Sequence, residues 1–253
     1  MEDIDYWQRD SLEIWRRGEH PELEAEWFVP FLDGRPPVEP VKDSHSRKTY
    51  RWQSPAGRVY VKLFTYAASD RWGDWLREMF DWKRYGHQQF ERLLQLKENG
   101  FNVARPLLAL ERREGWLKRS SLVVLEQIKG TSLSAYLKEA SVEEAYDFFE
   151  RGLKVLQRMH ALNIAYGDTK LDNLLMDEEA ELAWTDYDDL KVDYRWLPSK
   201  LRDLRRYLQS WLKLSRKEER DICETELIER FHCINPRSML VKKFIVHRAR
   251  KQL

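Results

Sequence analysis

The sequence predicts an α+β fold of two lobes, an antiparallel-sheet N-lobe over residues 1–128 and a mainly helical C-lobe over residues 129–253. Three observations predict it. Apolar, β-branched runs gather in the first half of the chain; long amphipathic helical periodicity dominates the second; and the glycine-containing Lys129-Gly130-Thr131 stands between them as a hinge.

The first half opens on a tryptophan-bearing segment that Asp33-Gly34-Arg35-Pro36-Pro37 sets apart as a linker. Ser54-Pro55-Ala56-Gly57 supplies turn material before Arg58-Val59-Tyr60-Val61-Lys62-Leu63-Phe64, which alternates and reads as the second strand of a hairpin carrying Lys62. From an N-capping Asp70, the residues Trp72, Trp75, Leu76, Met79 and Phe80 recur at helical intervals. Gly86 interrupts. A second helix with Phe90, Leu93 and Leu94 on one side runs to Gly100, a residue suited to a left-handed C-terminal cap. Two strands follow, Leu107 to Leu110 and Leu122 to Ile128, around a turn near Gly115, and the second is apolar enough to be central in a sheet.

Beyond Gly130 the pattern is helical, first from Leu133 to Glu139 and then from Val142 to about His160. Ser141 with Glu144 three residues on forms a capping box. Ala145, Phe148, Phe149, Gly152, Leu153, Leu156 and Met159 make one apolar stripe.

A chain of 253 residues can bury roughly three-quarters of the surface its unfolded form exposes, so a substantial core is expected. Hydrophobic residues are 42% and charged residues 34%, and no apolar run approaches the roughly 18 to 20 residues of a membrane-spanning helix. The start, Met1-Glu2-Asp3-Ile4-Asp5, leads into no apolar stretch, which reads as a cytoplasmic protein without a secretory leader. Cys223 and Cys233 have neither CxxC spacing nor nearby ligands and read as reduced structural thiols. With 44 Lys plus Arg against 43 Asp plus Glu, bulk charge attracts no polyanion, and with no nucleic-acid-reading motif none is expected as a partner. The 11 tryptophans read mostly as core anchors, with rings at a lipid headgroup boundary as the other option.

The chemistry is carried by Gly167-Asp168-Thr169-Lys170-Leu171-Asp172-Asn173 and by Trp184-Thr185-Asp186 downstream. Phosphoryl transfer asks a protein to position a nucleophile and to neutralise phosphate charge, chiefly through metal ions. Asp168 can orient an acceptor hydroxyl or take its proton, Lys170 can sit against the γ-phosphate, and Asn173 and Asp186 offer hard oxygen ligands for Mg²⁺. The interval between Asn173 and Asp186 suits a short hairpin that returns the chain to one metal. The bland alternative is a solvated loop of turn-forming side chains.

Lys62 also reads two ways, as a strand cation on the α and β phosphates of ATP or as a charge that blocks edge pairing. A phosphate-binding lysine is ordinarily held by a glutamate from the next helix. Here the expected position falls near Gln89, with Glu91 and Glu78 as alternatives. No glycine-rich phosphate loop precedes it; Lys42-Asp43-Ser44-His45-Ser46-Arg47-Lys48 occupies that place, as a phosphate cradle or as a solvated basic turn. His160 reads as a buried ring bracing loop backbone. Asp203 reads either as a carboxylate that bonds the catalytic loop from a following helix or as an ordinary surface acid.

On Tyr60-Val61-Lys62, Met159-His160-Ala161-Leu162, Gly167-Asp168-x-Lys170-x-x-Asn173, Asp186 and Arg202-Asp203-Leu204, the chain resembles the protein-kinase-like superfamily. Within it, the chain resembles the lipopolysaccharide core heptose/Kdo kinase family over roughly residues 40 to 215. The resemblance implies an ATP-dependent phosphotransferase in which Asp168 is the catalytic aspartate and Lys170 stands beside it. Asn173 and Asp186 would hold Mg²⁺ and nucleotide, Lys62 would contact ATP, and Glu126, Gln127 and Ile128 would offer backbone groups to adenine. Tyr166 departs from the usual histidine before the catalytic aspartate. The acceptor implied is a heptose or Kdo hydroxyl of the lipopolysaccharide core, met at the cytoplasmic face of the inner membrane.

The tail from Ser238 to Lys251 places Leu240, Val241, Phe244 and Ile245 at helical spacing, as an interfacial helix or as a helix docked on its own lobe. Arg195, Lys200, Arg202, Arg205 and Arg206 stand ready for sugar phosphates or form a solvated face. Rival functions are a kinase of another small molecule or of protein, and a non-catalytic binding protein that keeps the fold.

Overall fold

The computed structural model describes residues 4–9, 11–18, 20, 23–44, 47–54, 57–65, 85–114, 118–216, 222–235, 237 and 239–251. The helix expected from Asp70 lies outside these residues, as does the turn at Gly115. By its contacts the chain divides into two compact units, one of residues 1–100 and 104–127 and the other of residues 101–103 and 128–253.

The first unit is a seven-stranded antiparallel sheet of β1 (Ile4–Arg9), β2 (Leu12–Arg17), β3 (Pro40–Ser44), β4 (Arg47–Ser54), β5 (Gly57–Thr65), β6 (Pro106–Glu114) and β7 (Lys118–Glu126). Their spatial order is β1-β2-β6-β7-β5-β4-β3. The hairpin expected around Lys62 is β4 and β5, with Lys62 opposite Thr49 on one side and Val123 of the central β7 on the other. The strand read as Leu122 to Ile128 starts earlier and ends at Glu126, because β7 also pairs with β6 through Glu114 and Lys118.

The N-terminal segment is not set apart, as the linker reading had it. β2 pairs along β6, and Ala25–Phe28 and a short α1 (Val29–Leu32) lay Phe28 and Phe31 into the core beneath Val59, Val61 and Leu63. The linker itself is tied down, since Arg112 of β6 donates to the Asp33 carboxylate and the Leu32 carbonyl. Hydrogen bonds from Arg112 and from Arg35 hold the Asp33 carboxyl below its usual range.

Alternation along β5 puts Val59, Val61 and Leu63 on the core face and Lys62 with Phe64 on the other. That second face receives α2 (Tyr85–Glu98), whose Tyr85 ring stacks on Phe64 at 6.0 Å between centroids. The helix start is anchored from the sheet. Glu111 accepts from the backbone of His87 at 3.1 Å and from the Ser121 hydroxyl at 2.8 Å, and that hydroxyl accepts from the backbone of Gly86 at 2.6 Å. A buried carboxylate thereby satisfies first-turn amides and meets the positive end of the helix. Gly86 does not interrupt the helix; it lies in the first turn, where a Cβ would meet the Leu122 carbonyl oxygen at 2.4 Å. Gly100 closes the segment at φ +70°, the left-handed cap expected of it.

The second unit holds a three-stranded sheet, β8 (Gly130–Ser132), β9 (Leu174–Asp177) and β10 (Leu182–Trp184), in the order β10-β9-β8. Its helices are α3 (Leu133–Tyr136), α4 (Val142–Ala161), α5 (Leu197–Ser215), α6 (Glu224–Ile234) and α7 (Met239–Arg250). The helix expected from Leu133 to Glu139 is a single turn. The one expected from Val142 forms with both halves of its capping box, Glu144 backbone to the Ser141 hydroxyl at 3.2 Å and Ser141 backbone to the Glu144 carboxylate at 2.8 Å. A cap of this kind stabilises a helix by about 1 kcal/mol.

The apolar stripe of α4 is buried as read, and α5 packs against it with Tyr207, Leu208 and Trp211. The Tyr207 hydroxyl donates to the Phe149 carbonyl at 2.8 Å, at a point where Gly152 leaves room for it. The tail helix α7 docks on α5, but through Ile245, Val246 and Ala249. Leu240 and Phe244, read as one apolar face with Ile245, are exposed. Cys223 and Cys233 are free and exposed, not bridged to one another. Trp15, Trp184 and Trp211 are core anchors, whereas Trp196 is 61% exposed.

Candidate active site

In the second unit, the segment after α4 is fixed at both ends by backbone. Ala165 and Lys191 exchange amide hydrogen bonds at 2.9 and 2.8 Å, and one turn of 3-10 helix at Leu171–Asn173 feeds into β9. The expected hairpin is β9 with β10, pairing Leu174 with Trp184. Just beyond it, the Thr185 backbone and hydroxyl both donate to the Asn173 carbonyl, at 3.0 and 3.2 Å. Asn173 and Asp186 are therefore neighbours by backbone pairing, although well separated in sequence.

Asp168 lies between them and α5. Its Oδ1 accepts from Arg206 at 3.1 Å, and its Oδ2 accepts from Lys170 at 2.9 Å and from the Asn173 amide at 3.1 Å. The same Asn173 nitrogen also donates to the Asp168 carbonyl at 2.8 Å. Arg206 in addition donates to the Gly167 carbonyl. Three side chains thus fix one carboxylate by charge-assisted or amide hydrogen bonds, which is orientation of the kind a reacting hydroxyl needs. Gly167 stands at φ +95° with Asp189 where a Cβ would be, so the turn into Asp168 admits only glycine without strain.

The loop is held from below by Asp203, fully buried on α5. Its carboxylate accepts from the backbone of Tyr166 at 2.8 Å and of Gly167 at 2.9 Å, and faces the His160 ring at 3.2 Å. Its carbonyl accepts from the Thr169 hydroxyl at 2.6 Å. Of the two readings of Asp203, the structure takes the loop-bonding one. His160 braces the loop through this carboxylate and not by bonding loop backbone with its ring. Burial pushes the His160 pKa down despite the pull of Asp203, so the ring is neutral near pH 7 and its Nε2–H donates to Asp203. Tyr166 is buried against Trp184 at 4.6 Å between centroids, and burial pushes its hydroxyl well above the usual range. It serves the loop as an apolar wedge while its backbone keeps the bond to Asp203.

Two contacts were missing from the sequence reading. Arg206, assigned there to acceptor phosphates or to solvent, reaches Asp168; its signal is the three-residue step from Asp203, which lets one helix turn hold both ends of the loop. Lys200 donates to the His160 carbonyl at 2.7 Å and to Asn163 at 3.0 Å, so it clamps the end of α4.

In the first unit, Lys62 is half-buried on the α2 face of the sheet. Gln89, one turn in from Tyr85, is 5% exposed, and its amide has no hydrogen-bond partner among the described residues, so no bond joins it to Lys62. Glu91 pairs with His87 at 3.3 Å, and Glu78 lies outside the described residues. The backbone amides of Glu126 and Gln127 donate to the carbonyls of Arg105 and Arg58 at 2.8 and 3.2 Å. These two amides are therefore committed within the sheet unit. Ile128 follows as the first residue of the long stretch of the second unit, residues 128–253.

The donor set suits a hard cation. The Asn173 nitrogen is committed to Asp168, which leaves the amide oxygen as the group an ion could take, and Asp186 follows Thr185, whose backbone and hydroxyl bond the Asn173 carbonyl. Among the described residues no group of three or more His, Cys, Asp or Glu side chains could hold an ion. One amide oxygen and one carboxylate, with the balance from phosphate and water, is the arrangement Mg²⁺ favours.

The sheet-bearing unit, the helical unit and this loop-and-hairpin define an α+β protein of the protein-kinase-like fold. Over 90% of the chain, the fold superposes on 97% of a solved structure of WaaP in complex with acyl carrier protein, with a TM-score of 0.58 at 14% identity. The model of the lipopolysaccharide kinase (Kdo/WaaP) family matches residues 38–226, and the chain belongs to that family. A 3-deoxy-D-manno-octulosonic acid kinase of Vibrio cholerae serotype O1 is 23% identical over 126 residues, which cover 49% of this chain and 53% of that protein. The match thus spans about half the length of this curated relative.

Proposed function

We propose that the protein is an ATP-dependent kinase that phosphorylates a hydroxyl of a lipopolysaccharide core sugar, with octulosonic acid (Kdo) preferred to heptose as the acceptor. The observation that carries the reading is the Asp168 carboxylate, fixed by Arg206, Lys170 and Asn173, with Thr185 bonding the Asn173 carbonyl one residue before Asp186. The preference for Kdo is supported by the name of the Vibrio cholerae relative.

In this reading Asp168 aligns the acceptor hydroxyl and takes its proton as the bond to phosphorus forms. Lys170, 55% exposed beside it, meets the transferring phosphate. Asn173 and Asp186 would hold Mg²⁺, which when bound neutralises the charge of the nucleotide's phosphates. Lys62 contributes a cation to the α and β phosphates. Residues 1–128 then form the nucleotide-binding lobe and residues 129–253 the acceptor lobe.

The test is incubation with Mg²⁺, γ-labelled ATP and dephosphorylated lipopolysaccharide core, beside a protein and an aminoglycoside. Label on the core sugar alone is the expected result; label only on another acceptor overturns the sugar assignment. Asp186→Ala is expected to weaken Mg²⁺-dependent nucleotide binding at least tenfold, measured by calorimetry with and without the metal. An unchanged metal dependence would remove Asp186 from the site.

The acceptor's setting extends the reading to membrane contact. No helix among the described residues is long and apolar enough to cross a bilayer. On α7, however, Leu240 is 81% exposed and Phe244 51%, with Lys243, Arg248 and Arg250 exposed on the same helix. Such a mixture lies in the plane of an anionic lipid surface. Sedimentation with anionic vesicles is expected to be lost in Leu240→Ser/Phe244→Ser; equal pelleting of both proteins would refute it.

A further inference from the structure

Helical spacing sets Arg202, Arg205 and Arg206 on one face of α5, opposite the buried Asp203, Leu204, Tyr207 and Leu208. Arg248 lies on the packed helix α7 within electrostatic reach of Arg205, with its guanidinium 5.5 Å from the Phe244 ring centre. Arg206 is the member that also touches Asp168. From Arg202 to Arg206 the helix rises roughly 6 Å, close to the span of one sugar ring with its substituents.

From this placement we infer that Arg202, Arg205 and Arg248 form an anion subsite that binds the carboxylate of an acidic sugar acceptor, with Arg206 joining it to Asp168. The inference rests on the kinase reading and deepens it, by naming what recognises the acceptor. Guanidinium groups match carboxylate oxygens with paired, parallel hydrogen bonds, which ammonium groups do not. A carboxylate held at Arg202 and Arg205 leaves the rest of the sugar extending toward Arg206, where Asp168 waits for a hydroxyl. Burial and the charges of Arg206, Arg202 and Arg248 lower the Arg205 pKa, and an anion bound among these guanidinium groups eases their mutual repulsion. The octulosonic acid named in the Vibrio cholerae relative has the required carboxylate, and heptose has none.

Arg202 and Arg248 are both exposed, so replacing them leaves the core intact. Binding of a core oligosaccharide bearing octulosonic acid, and of its carboxyl methyl ester, is measured by calorimetry without nucleotide, on the whole chain and on Arg202→Gln/Arg248→Gln. Wild type is expected to bind the free acid at least tenfold more tightly than the ester. The variant is expected to lose that difference while keeping the wild-type KM for ATP and the wild-type melting temperature. Equal binding of acid and ester by wild type, or an undiminished preference in the variant, overturns the subsite. Phosphate transfer by wild type is scored separately. Transfer without acid preference refutes the subsite alone, and acid preference without transfer refutes the kinase reading alone.

Discussion

Asp168→Asn is expected to lower the rate of phosphate transfer about a thousandfold, within the range that removal of a general base produces, while nucleotide affinity stays within twofold of wild type. The substitution preserves shape and removes the acceptor-only character of the side chain. In the wild type both oxygens of Asp168 accept, one from Arg206 and the other from Lys170 and Asn173. An asparagine presents an NH₂ group to one of these donor sets, so a donor faces a donor and the side chain turns. The acceptor hydroxyl then loses both its proton acceptor and its alignment. Nucleotide binding is spared because the proposed metal ligands, Asn173 and Asp186, are held by the backbone bonds of Thr185. Single-turnover transfer and nucleotide titration on the same preparation separate the two effects. Retention of a tenth of the wild-type rate would remove Asp168 from the chemistry.

The loop that carries this prediction was legible because its geometry is local. The D-x-K-x-x-N spacing closes over one turn of 3-10 helix, and the interval to Asp186 is filled by a hairpin whose strands are adjacent in sequence. The capping box of α4 was legible for the same reason, since Ser141 and Glu144 need only each other. What failed depended on distant partners. β1 is an exposed, charged edge strand, and β2 becomes a strand by pairing with β6, far along the chain. Gly86 looked like a helix breaker because its reason for being glycine, the Leu122 carbonyl, lies on another element. The face of α7 was misjudged because Leu240, Phe244 and Ile245 fit one stripe by spacing, while α5 selects Ile245, Val246 and Ala249 instead. Arg206 illustrates the same limit at the site. Its residue type announces an anion partner, and only the fold reveals that the partner is Asp168.

Asp203→Ala should be the most damaging change away from the reacting groups, in stability and activity together. The carboxylate is fully buried and satisfies the Tyr166 and Gly167 amides as well as the His160 ring. Truncation leaves these donors buried without partners, each costing about 1–3 kcal/mol before relaxation. A net loss of about 3 kcal/mol corresponds to a fall in melting temperature of roughly 6–12 °C for a chain of this size. The loop then loses the support that fixes Gly167 and Asp168, and transfer is expected to fall at least a hundredfold, with kcat reduced more than KM. Asp203→Asn keeps one acceptor oxygen and should recover part of the melting temperature and less of the rate. The pH dependence gives an independent check. Burial holds the His160 pKa below its ordinary 6.5, so below that pH the unfolded chain binds a proton that the folded chain resists, and stability falls with acidification. Asp203 is the group that pulls the His160 pKa back up. Without it the folded chain resists the proton more strongly, and between pH 7 and pH 5 the melting temperature of Asp203→Ala should drop more steeply than that of wild type. Parallel melting curves across that interval, or wild-type turnover in the variant, would show that α5 does not hold the loop.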